Sequence, residues 1–334
     1  MNRSWRNQWA KSQFLGDDGN CGKKSPDFVR IAIVHFCGSC VWHVVVREPH
    51  AVPASIVEPA GKVENVVNCV FDVGPHGELH IRNRSVFTVS GDLSRRLWEE
   101  HAEWWIDGFT DGADPEYEDQ IIPLVVGELA GTTTVLDIGT GDGQIARALT
   151  ATGCSVTGVD PTSAQISVAA QRGGGPRYVQ SGACPLPFSD ESFDAALACL
   201  VFEHIDDVDG AISEVARVLR PGGSFNFLLN HPLLQTPDSG WIDDHMVEPP
   251  EQYWRIGNYL DEAETVEQVE LGVHIRFLHR PLSRYLNALA DNGLLLEHMD
   301  EPAPPERFLA QAPEYFEAKS VPRLLHLRLR KVVG

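Results

Sequence analysis

From Asp92 onward the apolar residues recur first at one spacing and then at two. Leu93–Ile106 (LSRRLWEEHAEWWI) places them at helical intervals and predicts one helix. A second helix is expected over Asp114–Ala130, with Pro123 kinking or restarting it and Gly131 ending it. Short apolar runs then alternate with helical stretches. Strands are predicted at 135–139, 155–160, 177–180, 193–200 and 224–230, with helices at 143–152, 162–171 and about 207–219. Strands alternating with helices call for a parallel sheet covered on both faces, a doubly wound α/β fold.

The alternation stops at 231–280, where a Pro-rich loop precedes a hairpin, Glu264–Glu270 against Val273–His279 around Leu271-Gly272. A helix over Pro281–Asp291 follows, with Pro at a favourable first-turn place and Gly293 as its stop. Strands at 294–299 and 323–330 close the chain.

Residues 1–88 show no such order. The run Ile31–Val46 is apolar for sixteen residues, short of the roughly twenty a membrane helix needs, and His35, Gly38, Ser39 and His43 interrupt it. A strand or two, or loosely organised chain, fits it better. Cys37-Gly-Ser-Cys40 has the spacing of a redox or zinc pair, but no second pair follows it, so a chance occurrence is the reading adopted. No methionine stands between Met1 and Met246, and readable organisation begins near Val86. This suggests that 1–88 is an over-long reading frame whose true start is a valine codon at Val86 or Val89. A peptide from residues 1–80 in the native protein would end that idea. The organisation expected is an extension, 1–88, and one domain, 89–334, carrying a substrate-side insertion at 231–280.

Charge sharpens the division. Residues 1–88 hold ten Lys/Arg and eight Asp/Glu, and the remainder holds seventeen and thirty-nine, for a total of −20. Nucleic-acid binding relies on cationic side chains displacing counterions, so this balance argues against such a partner and suits a neutral or cationic small ligand. The seven cysteines fall at 21, 37, 40, 69, 154, 184 and 199 without framework spacing, and Met1–Lys24 is polar. Reduced thiols, a cytoplasmic location and no membrane association are the expectations.

The sharpest chemical signal is VLDIGTGDG, Val135–Gly143, where a buried strand enters a glycine-rich turn and then a helix. Glycines there let backbone approach a ligand, and the helix start favours an anionic group. A dinucleotide fingerprint needs glycine at 144, where Gln144 stands, so the spacing is GxGxG and turns away from NAD.

Three further motifs follow in order: GVDPTSAQISVAAQR, PLPFSDESFDAALACLVFEHIDD, and Arg220-Pro-Gly-Gly223 before SFNF. With the glycine turn they make residues 92–330 resemble the class I S-adenosylmethionine (SAM) dependent methyltransferases, in particular the bacterial group (methyltransferase type 11) similar to the ubiquinone/menaquinone-biosynthesis enzymes. The resemblance implies a seven-stranded Rossmann-like sheet whose last strand is antiparallel, an N-terminal helical lid, and SAM as cofactor without a metal. It implies that Asp137, Gly139, Thr140, Gly141 and Gly143 lie under the methionine part. The resemblance further implies that Asp160 receives the ribose hydroxyls, that Pro161 lies at the adenine edge and that Leu200 walls the sulfonium. Asp137 orienting a turn and Asp160 capping a helix are the structural alternatives. Family members often carry an acid about four places before Leu-Pro-Phe; Gly182 stands there, so adenine recognition falls to backbone near Ala183 and Cys184.

In-line methyl transfer needs alignment first and a base only where the acceptor must shed a proton. Glu203, His204 and His231 follow predicted strands at their carboxyl ends, where ligands bind in open α/β sheets. His231 is the preferred base. Trp104, Trp105 and Tyr117, with Tyr253 and Trp254, are candidates to line the acceptor pocket. The function read from this is SAM-dependent methylation of a small molecule. A non-catalytic SAM-binding module and an NAD-dependent oxidoreductase remain as rivals, and the oligomeric state stays open.

Overall fold

The computed structural model describes the strands at 30–35, 41–46, 70–73 and 79–82, and the chain over 93–311 and 317–333. Residues 6–89 and the chain from 90 onward form separate compact units. In the first, β1 (Arg30–His35) pairs antiparallel with β2 (Val41–Val46), and β3 (Val70–Val73) with β4 (Leu79–Arg82). The apolar run is thus spent on two six-residue strands. Cys37 and Cys40 lie outside the described residues.

The second unit opens with α1 (Leu93–Glu100) and α2 (Ala102–Phe109). One continuous helix was expected here, but His101 breaks it at φ −107°, ψ 18°. A π-helical turn, Tyr117–Ile121, then leads into α3 (Ile122–Glu128). Pro123 explains the change of winding, because its nitrogen has no proton to donate to the preceding turn.

The sheet contains β5 (Thr134–Ile138), β6 (Ser155–Asp160), β7 (Arg177–Gln180), β8 (Phe193–Cys199), β9 (Leu219–Asn230), β14 (Leu294–Asp300) and β15 (Leu324–Lys331). Between them run α4 (Gln144–Ala151), α5 (Ser163–Arg172), α6 (Val208–Val218) and α7 (Leu282–Asp291). Strand order is β14-β15-β9-β8-β5-β6-β7, with β15 antiparallel between β9 and β14 and the pairs from β9 to β7 parallel. This is the seven-stranded, doubly wound arrangement expected from the sequence.

Period-two alternation divides the core. Val135, Ala195 and Leu197 face Ile121, Val125, Leu129 and Leu149. Leu136, Ala196, Ala198, Phe225 and Phe227 face Ile212, Val215 and Leu289. Winding runs β5 to β6 to β7 on one side and β8 to β9 on the other. The switch point therefore falls between β5 and β8, and a crevice opens beyond their carboxyl ends.

Past β9 two hairpins stand off the sheet. β12 (Ala263–Glu270) and β13 (Val273–His279) form the one expected. β10 (Gly240–Asp244) and β11 (Glu251–Arg255) form a second, in a stretch expected to be loop. Its strands are short and mostly polar. What holds them is Trp241 opposite Trp254, ring centroids 5.3 Å apart, a cross-strand pair that no local alternation announces. The short α8 (Glu306–Gln311) also falls outside the expected elements.

Candidate functional site

The crevice beyond β5, β6 and β8 encloses about 480 Å³. The glycine turn after β5, the start of α5, the 182–184 loop, residues 200–207 after β8, and the lid helices contribute its walls. Of the residues expected around the cofactor, Asp137, Gly139, Thr140, Gly141, Asp160, Pro161, Ala183, Cys184 and Leu200 all line it.

Gly143 does not. Its φ is +83°, and a side-chain carbon there would meet the Tyr178 hydroxyl at 2.2 Å. Packing against Tyr178 on β7 leaves no room for a side chain at this position, and Gly143 is not among the residues lining the crevice, where the sequence reading had expected it. Gly141 is the turn glycine with open space before it, with Gln165 Oε1 and Trp105 Nε1 each 3.8 Å from where a side chain would begin.

The turn is tied to the strands by hydrogen bonds. Gly139 and Thr140 N–H both donate to the Val159 carbonyl, at 2.8 and 2.9 Å. Thr140 Oγ1 donates to Asp137 Oδ2 at 2.6 Å. Burial pushes the Asp137 carboxyl up to about 7, against that hydrogen bond. Of the two roles weighed for Asp160, the structural one is made by contacts within the chain. Its Oδ1 accepts from Thr162 N at 2.9 Å and Thr162 Oγ1 at 2.6 Å, bracing the start of α5. Its Oδ2 accepts from Gly141 N at 3.1 Å, in the crevice. Burial raises this carboxyl, and the three hydrogen bonds oppose the rise. Leu200 holds a left-handed φ of +55° at the end of β8. Such backbone in a non-glycine residue costs on the order of 1–3 kcal/mol and collects at binding sites.

The lid is fastened to this floor. From α1, Glu99 accepts from Ser163 N at 2.7 Å, Ala164 N at 3.1 Å and the Ser163 hydroxyl, capping α5 from outside. At the end of α2, Thr110 Oγ1 accepts from Arg172 Nη1 at 3.1 Å; Arg172 and Arg147 both engage buried Asp142. Trp105 of the lid stacks on Phe109 with centroids 4.4 Å apart and meets Trp98 edge-on at 5.4 Å. At the opposite end Gly182, Ala183 and Cys184 line the wall, and the Cys184 thiol lies 3.9 Å from Asp207 Oδ2.

The three candidate bases separate. His204 lines the crevice, with Nδ1 2.7 Å from the Arg276 carbonyl and its ring against Trp98. Burial lowers its pKa to about 4. Glu203 points the other way. It is buried, its Oε1 accepts from Asn230 Nδ2 at 2.9 Å, and burial pushes its carboxyl up to about 7. His231 is buried outside the lining, with Nε2 2.8 Å from Glu301 Oε1 and Nδ1 accepting from Leu233 N. His231, expected on the acceptor side, thus lies outside the lining of this crevice, and Glu203 is a buried polar anchor of the β8 terminus. The sequence placed all three after strands; which way each turns depends on the loops packed over them.

Of the aromatics, Trp105 and Tyr117 line the crevice, joined by Trp98. Trp104 instead donates to Glu270 on β12, and Tyr253 and Trp254 belong to the β10–β11 hairpin. Gln144 and Gln165 were missed. Both line the crevice, and each buries a side-chain oxygen with no hydrogen-bond partner among the described residues. Such orphaned acceptors fit a ligand bearing ammonium and hydroxyl protons, as SAM does. Among the described residues no group of three or more His, Cys, Asp or Glu is placed to hold a metal, and no helix is long and apolar enough to cross a membrane.

Comparison with known proteins agrees with this geometry. Residues 136–227 match the family described as "Methyltransferase domain". An uncharacterized methyltransferase of Mycobacterium sp. (strain KMS) is 43% identical over 95 residues, 28% of this chain and 37% of that protein. A demethylmenaquinone methyltransferase of Tropheryma whipplei (strain Twist) is 36% identical over 95 residues, 27% of this chain and 38% of that protein. The chain thus spans under two fifths of the length of these relatives. A crystal structure of an S-adenosylmethionine-dependent methyltransferase from Mesorhizobium loti superposes with a TM-score of 0.55 at 28% identity, over 66% of this chain and 99% of that one. The glycine-turn crevice, the matched segment and the shared sheet identify residues 136–227 as matching a methyltransferase domain, on a fold similar to that of an S-adenosylmethionine-dependent methyltransferase.

Proposed function

We propose that the chain methylates a small molecule, and that the observation carrying this is the Gly141–Asp160 junction set beneath an aromatic lid. In this reading Asp160 Oδ2 receives a ribose hydroxyl, while the 139–141 turn and Thr140 seat the methionine part. Gln144 and Gln165 supply acceptors for its protons. Pro161 and the backbone of Ala183 and Cys184 bound the adenine, and Leu200 closes the wall near the sulfur. When bound, SAM supplies an electrophilic methyl group and leaves as a neutral thioether, so the protein's main task is alignment. Trp98, Trp105 and Tyr117 exclude water from the reacting centre. His204 takes the place first given to His231 as the group able to accept a proton from the acceptor. Many carboxylates and few cations around the crevice suit a sulfonium and disfavour a phosphate backbone. A cytoplasmic enzyme without nucleic-acid or membrane partners is the setting proposed.

Calorimetry with SAM and with NADH tests the cofactor half: SAM binding is expected, and tight NADH binding without SAM would overturn it. Incubating the protein and methyl-labelled SAM with a cell extract, followed by mass spectrometry, tests the transfer half. A labelled small-molecule product is expected. SAM binding with no turnover on any extract would leave a binding module instead.

A further inference from the structure

This inference rests on the methyl-transfer reading and names the acceptor for it. At the lid end the crevice is walled by Trp98, Trp105, Tyr117, Val201 and Ile205, and His204 closes it. The imidazole packs against Trp98 at 5.0 Å and Phe277 at 4.9 Å between ring centroids. Its Nδ1 faces a carbonyl, that of Arg276, so Nδ1 carries the proton and Nε2 the lone pair. That Nε2 makes no hydrogen bond among the described residues, while the neighbouring polar groups are engaged. Ser94 Oγ accepts from Arg276 at 3.0 Å and Asp206 Oδ1 accepts from it at 2.5 Å. Asp207 accepts from Gly210 N at the start of α6, and Arg95 has partners of its own. The charge facing His204 from β13 is the Arg276 guanidinium, which Glu264 and Asp206 neutralise.

We infer that the acceptor is a hydroxyl group borne on an aromatic ring, seated among these indoles with its O–H donated to His204 Nε2. The ring satisfies the apolar, edge-and-face surroundings. As the oxygen lone pair forms the O–CH₃ bond, the S–CH₃ pair passes to sulfur. The hydroxyl proton moves to Nε2, and the resulting imidazolium returns it to water on product release.

The weakness of the base narrows the choice of nucleophile. Held neutral by burial, this imidazole is too poor a base to strip an alkylammonium or a carbon acid before attack. A hydroxyl attacks with a lone pair it already has and turns strongly acidic as the bond forms. A neutral, weakly basic imidazole suffices for that proton.

The test uses the full chain, SAM, and two phenols of similar shape. One is unactivated; the other bears a nitro group and is largely ionised at the assay pH. His204→Gln is expected to lower kcat/KM on the unactivated phenol by about 100-fold or more, the span of general-base contributions. On the ionised phenol it changes little, and SAM affinity by calorimetry is unchanged. Equal losses on both phenols would overturn the proposal. So would methylation of a matched aliphatic amine or carbon acid with no phenol accepted, which would leave the methyltransferase reading standing. Should the variant not fold, the wild type decides: rates varying weakly across phenols of graded acidity support His204, and rates following phenolate concentration refute it. Absence of SAM binding by the wild type would sink the underlying reading instead.

Discussion

Replacing Asp160 tests the site where the structure is most specific. One carboxylate serves the start of α5 through Oδ1 and the glycine turn through Oδ2. In Asp160→Asn the amide oxygen stays with the two Thr162 donors, which turns the NH₂ toward the Gly141 N–H. A donor then faces a donor, and no acceptor remains for a ribose hydroxyl. A hydrogen bond to a charged group contributes about 1.5–3 kcal/mol, so at about 1.4 kcal/mol per tenfold SAM affinity should fall roughly 10- to 150-fold. Asp160→Ala should cost at least as much in binding, and also loosen α5. Calorimetry with SAM and with S-adenosylhomocysteine reads the loss. A circular-dichroism melt separates it from unfolding. A folded Asp160→Asn protein binding SAM within twofold of wild type would refute the assignment and leave Asp160 a structural brace.

Glu99→Gln should weaken the lid's cap on α5 by about 1 kcal/mol, the typical worth of a cap, and speed amide exchange across 93–109; unchanged exchange would free the lid from this contact. Gly143→Ala should lower the melting temperature through left-handed strain of roughly 1–2 kcal/mol plus the clash with Tyr178, and adding Tyr178→Ala should recover part of it. No recovery would place the cost elsewhere. Glu203 has a folded pKa raised to about 7 from 4.5 by burial. The folded state therefore holds this proton more tightly than the unfolded chain. Its stabilising contribution is complete below about pH 4.5 and is lost as pH rises through 7. Denaturant titrations should find Glu203→Gln gaining on wild type between pH 5 and pH 8, and a constant difference would contradict the burial argument.

What could be read from the chain follows the range of the forces involved. β5, β6, β8 and β9 are buried on both faces, so their apolar runs announce themselves. The glycine turn is legible because left-handed backbone at 139 and 141 admits few other residues. The break at His101 and the β10–β11 hairpin were not legible. Tryptophans settle on partners outside their own element there: Trp104 on Glu270 far along the chain, and Trp241 on Trp254 across the hairpin.

The site shows the same division. Asp137, Asp160 and the turn stand within one βαβ unit, so local spacing brings them together. The sequence by itself determined the sheet, the turn and the carboxylate that meets it. Only the tertiary structure decided that Glu99 crosses to α5, that Gly143 serves Tyr178, and that His204 instead of His231 faces the crevice. Those outcomes depend on which segments pack over a strand's end, and contacts between residues tens of positions apart leave no periodicity in the sequence.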